Sequence, residues 1–352
     1  MLKLLDKIIF LLSLLAIIGL LGAYSASFIS PNIFVFPSLL SLAYPYLLIV
    51  NLLFFLYWLF RWKKTIWLQL GVLLAGIPVF MSYYGTAANQ KTKEKTELSL
   101  LSYNVRYFDL YGWSDQTNTK EKLFAYLNKF PGDLICLQEF MLTSASEKQK
   151  DIISHLKSYP YHHIYKDMAI FSRIPLYRKG HLKFDEKYSS ACIYCDIVCG
   201  KDTIRLYSVH LESYRLGKKE RRFVKEMSTR LRSDKLSEGV KNLATRLSTA
   251  NKNRAFQAEA IKKHLETSPY PVILCGDFND TPLSYTYRRI KKGLQDSFLE
   301  KGRGLGNTYI GEFPSFRIDY ILHTPEMETQ SYSRENIFLS DHYPIRADIR
   351  IK

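Results

Sequence analysis

Asp277 and Asn279 stand two residues apart in the segment Gly276-Asp277-Phe278-Asn279, directly after the apolar run 271–275. In an extended chain, residues i and i+2 point to the same side. A carboxylate and a carboxamide would therefore project together from the end of one strand. This pair is the first candidate for the floor of an active site.

The same arrangement recurs in three other apolar segments, each of which carries at one end a residue suited to metal or phosphate chemistry. These residues are Asn104, Glu139, and Asp341 with His342. The recurrence favours one composite site, built from ends of separate strands.

Each residue alone has an ordinary alternative explanation. Asn104 could cap a turn, and Glu139 could be an exposed charge at a sheet edge. Asp319 could form a structural ion pair with Arg317, two residues before it. His342 could be a surface residue. The recurrence of such residues at the ends of several strands, and not any one of them, therefore favours a catalytic or metal site.

The elements that must position these residues are many short strands interrupted by helices. Such a pattern predicts an α/β (α+β) domain with two packed sheets and helices outside. Strands are predicted over 98–105, 133–140, 161–165, 168–172, 191–198, 203–211, 271–275, 317–322 and 345–351, and helices over 119–130, 144–156, 215–250 and 254–265.

The amino-terminal part is of a different kind, because it is almost entirely apolar or aromatic. Three stretches, 8–29, 38–60 and 66–84, approach the ~20 residues that cross a bilayer. We therefore predict a three-span transmembrane anchor over 1–85, a linker over 86–97 and a globular domain over 98–352. The first stretch lacks a small-residue cleavage site, which argues against a signal peptide.

Basic residues in the short flanks predict the orientation of this anchor. They precede the first stretch and separate the second from the third, and positive flanks stay in the cytoplasm. Three crossings would place the globular domain outside the cytoplasm, on a bacterial-type inner or plasma membrane. The basic residues over 91–95 follow the third stretch and favour the opposite orientation. The residues are Lys3 and Lys7, then Arg61, Lys63 and Lys64, and finally Lys91, Lys93 and Lys95.

The net charge of +16 is concentrated in one place, since residues 215–254 carry thirteen Lys/Arg and four Asp/Glu. Such a basic segment suits nucleic acid and equally suits anionic lipid headgroups. Phe223, Met227 and Leu231 have helical spacing. Their face could enter a membrane interface or pack on the globular domain.

The five cysteines lie in apolar, strand-like runs without the spacing and histidine partners of a zinc site. We expect buried, reduced thiols.

The motifs, taken in chain order, resemble those of the endonuclease/exonuclease/phosphatase superfamily. That group includes deoxyribonucleases, abasic-site endonucleases, inositol polyphosphate 5-phosphatases and neutral sphingomyelinases. The resemblance covers about residue 97 to the end. It rests on 102–106 (SYNVR), 137–139 (LQE), 209–211 (VHL), 276–279 (GDFN), 317–320 (RIDY) and 340–344 (SDHYP).

The resemblance implies a four-layer αββα sandwich with its site at one end of the sheets. Glu139 would hold Mg²⁺ or Mn²⁺, with Asn104 and Asp341 nearby; both ions prefer oxygen ligands. The metal would neutralise phosphate charge.

The remaining site residues receive roles from the same resemblance. Asp277 and Asn279 would orient water and hold a phosphate oxygen, while His342, held by Asp319, would assist proton transfer. His210 stands where abasic-site nucleases have tyrosine, so it favours the deoxyribonuclease, sphingomyelinase and 5-phosphatase branches. We expect Asp167 to orient His210, although a structural role for His210 is an alternative.

Three functions remain open at this point, because function depends on loops carried by the sandwich. The first is a membrane-anchored phosphoesterase acting on lipid headgroups. The second is an extracytoplasmic nuclease, and the third is an inactive membrane scaffold.

The orientation predicts that a reporter fused after Lys352 is active outside the cytoplasm. Paired fusions with periplasmic alkaline phosphatase and with a cytoplasmic fluorescent protein measure this. Activity of the cytoplasmic reporter alone would contradict the three-span orientation.

Overall fold

The structure is a computed structural model, and it describes residues 2–87, 98–109, 112, 116–140, 146–184, 190–215, 233–310 and 315–352. The chain divides into two compact units. The helical unit comprises 1–83, 214–256 and 281–288, and the sandwich unit comprises 84–213, 257–280 and 289–352. Most of the predicted linker, from residue 88 to residue 97, lies outside the described residues, as do Phe223, Met227 and Leu231.

The helical unit begins with five apolar helices. By length and composition, residues 4–25 of the first helix can cross a membrane. The other four helices form two consecutive pairs, bent by 75° and 45°, and each pair can cross a membrane only if it is one bent span. One span is thus supported, and the other two stay predictions. The helices are α1 (Leu2–Ser25), α2 (Phe36–Leu42), α3 (Tyr44–Phe60), α4 (Ile66–Ala75) and α5 (Ile77–Tyr83).

The segment 281–288 packs inside the helical unit. Leu283 is buried in a cluster with Leu20 and Tyr44, and its carbonyl accepts a 2.7 Å hydrogen bond from Ser27 Oγ. The guanidinium of Arg288 lies 3.8 Å from the centroid of the Phe28 ring. This segment follows the predicted site residue Asn279 closely along the chain.

One long helix, α8 (Ser233–Leu265), replaces the two helices predicted over 215–250 and 254–265. The predicted break near Asn251 was wrong, because a polar residue of low helix propensity is tolerated where its side chain has partners. Asn251 is buried, and its Nδ2 donates to Ser38 Oγ at 2.8 Å. Helices α6 (Thr119–Lys129), α7 (Ser146–His155), α9 (Tyr285–Lys291) and α10 (Ser297–Lys301) complete the set of α-helices in the described residues, and Arg106–Asp109 forms a 3-10 helix.

The sandwich unit contains two six-stranded sheets, ordered β10-β12-β9-β8-β7-β6 and β13-β14-β2-β3-β5-β4, and a small ribbon β1-β11. The strands are β1 (Gly85–Thr86), β2 (Leu98–Asn104), β3 (Leu134–Gln138), β4 (Tyr161–Tyr165), β5 (Met168–Ser172), β6 (Tyr177–Leu182), β7 (Ala191–Cys199), β8 (Asp202–His210), β9 (Val272–Asp277), β10 (Gln295–Asp296), β11 (Arg303–Gly304), β12 (Asp319–His323), β13 (Met327–Arg334) and β14 (Ile345–Ile351).

Strand periodicity explains the layers. In β3, Leu134 and Cys136 enter the core between the sheets, whereas Ile135 and Leu137 join the cluster that includes the apolar residues of α6 and α7. Successive side chains point to opposite faces of a sheet, so one strand serves two cores. These strands are apolar throughout because both of their faces are covered.

The last turns of α8 cover the outer face of the other sheet. His264 Nδ1 lies 2.8 Å from Tyr207 Oη, and Ala258 and Ile261 are fully buried. The predicted sandwich of two sheets flanked by helices is confirmed. All five cysteines are free thiols, as expected; four are buried and Cys199 is half-buried.

Gly276 is the position where the backbone beside Asp277 demands glycine. Its φ is 134°, and a Cβ there would lie 2.0 Å from the Val209 carbonyl oxygen. The close approach of β9 to β8 therefore depends on the missing side chain.

Gly276→Ala should lower the thermal unfolding midpoint of the purified chain in detergent by about 6–12 °C, which corresponds to a cost of about 3 kcal/mol for clash and strain. Gly200→Ala is the matched control, because Gly200 has φ 60° and no atom within 4 Å of an added Cβ. We expect about 2–4 °C there. Equal shifts for the two variants would contradict this packing.

Candidate active site

Strand register brings the first three site residues into one row. In the parallel pair β8-β9, His210 is opposite Asp277, and in the antiparallel pair β9-β12, Asp319 is opposite Asp277. In the facing sheet, Asn104 is opposite Gln138 at the ends of β2 and β3. Glu139 follows Gln138 directly, so the two sheets present their polar ends at the same edge of the sandwich.

Asn104 connects the two sheets at this edge. Its Nδ2 donates to Asp277 Oδ2 at 3.0 Å and to Glu139 Oε1 at 3.3 Å. Its Oδ1 accepts the backbone N–H of Arg106 at 3.1 Å, which fixes the amide orientation. A role as a simple turn cap therefore does not account for Asn104, because its buried amide binds two carboxylates.

Two imidazole–carboxylate pairs approach the cluster. His342 Nδ1 lies 2.9 Å from Asp319 Oδ2, and its Nε2 lies 3.7 Å from Asp277 Oδ2. His210 Nδ1 lies 3.0 Å from Asp167 Oδ2. These contacts agree with the expected pairing of each histidine, and all five residues are at most 5% exposed.

His210 also faces Glu139, with its Nε2 3.7 Å from Oε1. That Nε2 atom is buried and has no hydrogen-bond partner in the described part of the chain. A buried polar atom without a partner is costly. Its position makes it available to a ligand oxygen.

Burial and charge act in opposite directions on the two histidines. Burial lowers the pKa of His210, but the negative charge of Asp167, with help from Glu139 and Asp277, outweighs it and raises the pKa to about 9. The same competition leaves the pKa of His342 well above its usual range, chiefly through Asp319 and Asp277. Both shifts favour the protonated form of the imidazole.

The pKa values of the two central carboxyl groups, Asp277 and Glu139, lie above their usual range. Burial raises the pKa of Asp277 to about 6, because His342 compensates only part of the desolvation and Asp319 adds repulsion. Burial also raises the pKa of Glu139, with repulsion from Asp341 opposing the attraction of His210. Repelling carboxylates of this kind favour a bound cation.

Left-handed backbone turns direct two of the side chains. Glu139 has φ 49° and Asn279 has φ 52°, values that are uncommon outside glycine and that concentrate at functional sites. The Asn279 N–H donates to Asp277 Oδ1 at 2.7 Å, and its Nδ2 donates to the Leu211 carbonyl at 3.0 Å. The second Nδ2 hydrogen has no acceptor among the described residues.

Asp341 is held at the same edge by an ion pair, its Oδ2 lying 3.3 Å from Arg106 Nη1. Ser340 Oγ donates to the Asn104 carbonyl at 2.8 Å, which fastens the loop before β14 to β2. The structure thus brings together all eight predicted site residues. Their individual roles stay predictions.

Two groups of these residues could hold a metal. Ligand atoms of Asp277, Asp319 and His342 lie within 4.8 Å of one another. However, Asp319 Oδ2 and His342 Nδ1 are already joined by a hydrogen bond. The second group is the carboxylates of Glu139, whose side chain is 22% exposed, and Asp341, which offer the hard oxygens that a small divalent cation prefers. Asn104 presents its Nδ2, and not its Oδ1, to Glu139.

Sequence reasoning missed several supporting residues. Thr308 Oγ1 accepts the N–H groups of Ile318 and Asp319 at 3.0 and 3.1 Å, and the Tyr309 ring lies 5.3 Å from the His342 ring, edge-on. No local pattern marks either residue. Arg317, the proposed alternative partner of Asp319, forms a 2.7 Å ion pair with Asp296.

Solved structures share this fold at low sequence identity. A D. rerio TDP2 humanised by 14 mutations matches with a TM-score of 0.52 and 17% identity, covering 72% of this chain and 98% of its own. The human Nocturnin catalytic domain with bound sulfate matches with 0.51 and 14%, covering 72% and 94%. A Leptotrichia buccalis endonuclease/exonuclease/phosphatase family protein matches with 0.50 and 17%, covering 72% and 100%.

Family comparisons agree with the geometry. None of the curated proteins compared with the chain matches it. A family model described as a domain of unknown function (DUF8431) matches residues 6–83. The model of the Endonuclease/Exonuclease/phosphatase family matches residues 101–342, and the chain belongs to that family.

Proposed function

We propose that the chain is a membrane-anchored, divalent-metal-dependent phosphoesterase with its catalytic domain outside the cytoplasm. The observation that carries the proposal is that two buried imidazoles, each bound to its own carboxylate, flank one cluster of carboxylates. A negatively charged phosphoester fits between cations, and the carboxylates supply bases. Membership of the family supports hydrolysis of a phosphoester bond.

Asp277 is suited to handle the attacking water. Its two oxygens are held by Asn279 N–H and Asn104 Nδ2, and a pKa of about 6 lets it accept a proton near neutral pH. The water oxygen forms the new bond to phosphorus while its proton passes to Asp277. The remaining Asn279 Nδ2 hydrogen stabilises a phosphate oxygen.

His210 is suited to complete the reaction. As the P–O ester bond breaks, the proton on Nε2 passes to the leaving oxygen, and Asp167 stabilises the ring through Nδ1. His342 keeps its charge beside Asp277 and stabilises negative charge on the phosphate. A divalent cation held by Glu139, Asp341 and Asn104 would supply neutralisation of phosphate charge and of the leaving oxygen.

Lipid phosphoesters are the favoured substrate class, because an apolar helix that can span a membrane precedes the domain. The alternative of a nuclease is favoured by the basic composition of 215–254. Both substrate classes present the same bond to the site.

The purified full chain should hydrolyse a sphingomyelin-type lipid in mixed micelles with Mg²⁺ or Mn²⁺, and EDTA should abolish the activity. Glu139→Ala should lower kcat at least about 100-fold, as loss of a group that stabilises transition-state charge does. Product phosphate or phosphocholine is measured alongside plasmid DNA and inositol phosphates. Hydrolysis of DNA alone would contradict the lipid assignment.

Glu328→Ala is the matched control, because it removes a surface carboxylate paired with Arg350 at 3.1 Å and should leave kcat unchanged. Asp319→Asn and Asp167→Asn keep the side-chain shape but remove the charge that holds each imidazolium. Unchanged hydrolysis in Glu139→Ala and in both of these variants would rule out the proposed site. Absence of hydrolysis of every substrate would favour the inactive scaffold.

A further inference from the structure

Arg106 and its neighbour Tyr107 contact all three residues proposed to hold a divalent cation. The backbone N–H of Arg106 donates to Asn104 Oδ1 at 3.1 Å, and its guanidinium Nη1 lies 3.3 Å from Asp341 Oδ2. The N–H of Tyr107 donates to the Glu139 carbonyl oxygen at 2.6 Å. The positive charge of Arg106 has no role in the catalytic steps proposed above.

The backbone of this segment is held in an unusual conformation. All four residues of Arg106–Asp109 have left-handed φ values, between 46° and 57°, which are costly for residues other than glycine. Phe108 anchors the turn, since its ring is buried and stacks on Phe124 with the centroids 4.8 Å apart. The Phe108 N–H also donates to the Val105 carbonyl at 2.9 Å. The main chain therefore keeps Arg106 at the edge of the site, whichever direction its side chain takes.

The guanidinium of Arg106 compensates one of two carboxylates that repel each other. Burial raises the pKa of Glu139, and repulsion from Asp341 adds to that effect. A cation on Asp341 reduces this repulsion. The guanidinium is one such cation, and a divalent metal ion would be another. The side chains of Arg106 and Asp341 are 19% and 16% exposed, so the pair is accessible to an ion from solution.

A divalent cation that uses Asp341 as a ligand must share that carboxylate with Arg106. Two cations on one carboxylate repel each other, and this repulsion is only partly screened where the side chains are mostly buried. Arginine stays protonated in proteins, so the guanidinium cannot lose its charge to make room. Metal binding is therefore opposed for as long as the guanidinium stays beside Asp341.

We propose that Arg106 competes with the divalent cation for Asp341 and thereby sets the metal affinity of the site. The inference rests on the metal site proposed above, and it concerns how tightly that site binds metal, not the reaction itself. Arg106 is a positioning residue, because it acts through Asp341. The chain then binds metal less tightly than its two carboxylates alone would allow.

Electron paramagnetic resonance titration of Mn²⁺ into the purified full chain in detergent tests this with the variant R106Q. Glutamine removes the positive charge and retains the backbone contacts. We expect R106Q to bind Mn²⁺ about 3- to 10-fold more tightly than the wild-type chain does, as expected for removal of one like charge at a partly exposed site.

Thermal unfolding gives a second readout, because a bound ligand stabilises the folded chain. In EDTA, R106Q should unfold at a lower temperature than the wild-type chain, since Asp341 loses its counter-ion. Saturating Mn²⁺ should reduce that difference, because the metal then replaces the guanidinium. A purely structural role for Arg106 would instead lower both midpoints equally and leave the Kd for Mn²⁺ unchanged.

Two controls make the result specific. R106K keeps the positive charge and should bind Mn²⁺ with a Kd close to that of the wild-type chain. R350Q makes the same change in net charge at the other end of β14, where Arg350 pairs with Glu328 at 3.1 Å, and should leave the Kd unchanged.

An unchanged or weaker Mn²⁺ affinity in R106Q would overturn the proposal. An equal gain of affinity in R350Q would overturn it too, because the effect would then come from net charge alone. Absence of Mn²⁺ binding by the wild-type chain would contradict the proposed metal site itself, and the inference with it. The wild-type titration therefore separates failure of the metal site from failure of the role of Arg106.

Discussion

Repulsion among buried carboxylates is the constraint on which the candidate active site depends. Asp277 and Asp319 are each at most 2% exposed, and Glu139 adds a third negative charge through Asn104. Such groups are stable together only if cations and donors lie between them. Two imidazolium rings and one amide meet that need, and each comes from a different segment of the chain.

Strand register follows from this constraint. Asp277 meets His210 on one neighbouring strand and Asp319 on the other, so a shift of one residue in β9 would turn its carboxylate to the opposite face. Gly276 keeps β9 close to β8. The left-handed turns at Glu139 and Asn279 then direct the side chains that follow each strand. Local strain and precise register therefore have the same purpose, which is to hold like charges beside their compensating groups.

Much of this arrangement could be predicted from local sequence. The strand over 168–172 was placed correctly because an apolar run bounded by turns is a strong signal. Strands β6 and β13 were missed, since YRKGHL and METQSYSR are polar edge strands that end their sheets. The continuity of α8 was missed because the burial of Asn251 depends on a partner more than 200 residues away.

In the candidate site, too, local sequence predicts some features, while others depend on contacts between distant segments. Residue types at strand ends identified the eight candidates, and the pairings of His342 with Asp319 and of His210 with Asp167 were expected. Sequence could not reveal that Asn104 joins two carboxylates from opposite sheets, or that Thr308 holds the backbone of Asp319. Both depend on contacts between segments that have no fixed separation along the chain. The grouping of 281–288 with the apolar helices is of the same kind.

We propose that a divalent cation is held on the Glu139 side of the cluster, with Asp341 and Asn104, and not among Asp277, Asp319 and His342. Electron paramagnetic resonance titration of Mn²⁺ into the purified full chain measures this directly. The account predicts one tight Mn²⁺ that Glu139→Ala loses and Asp319→Asn retains. Undiminished binding in Glu139→Ala, with loss in Asp319→Asn, would contradict it.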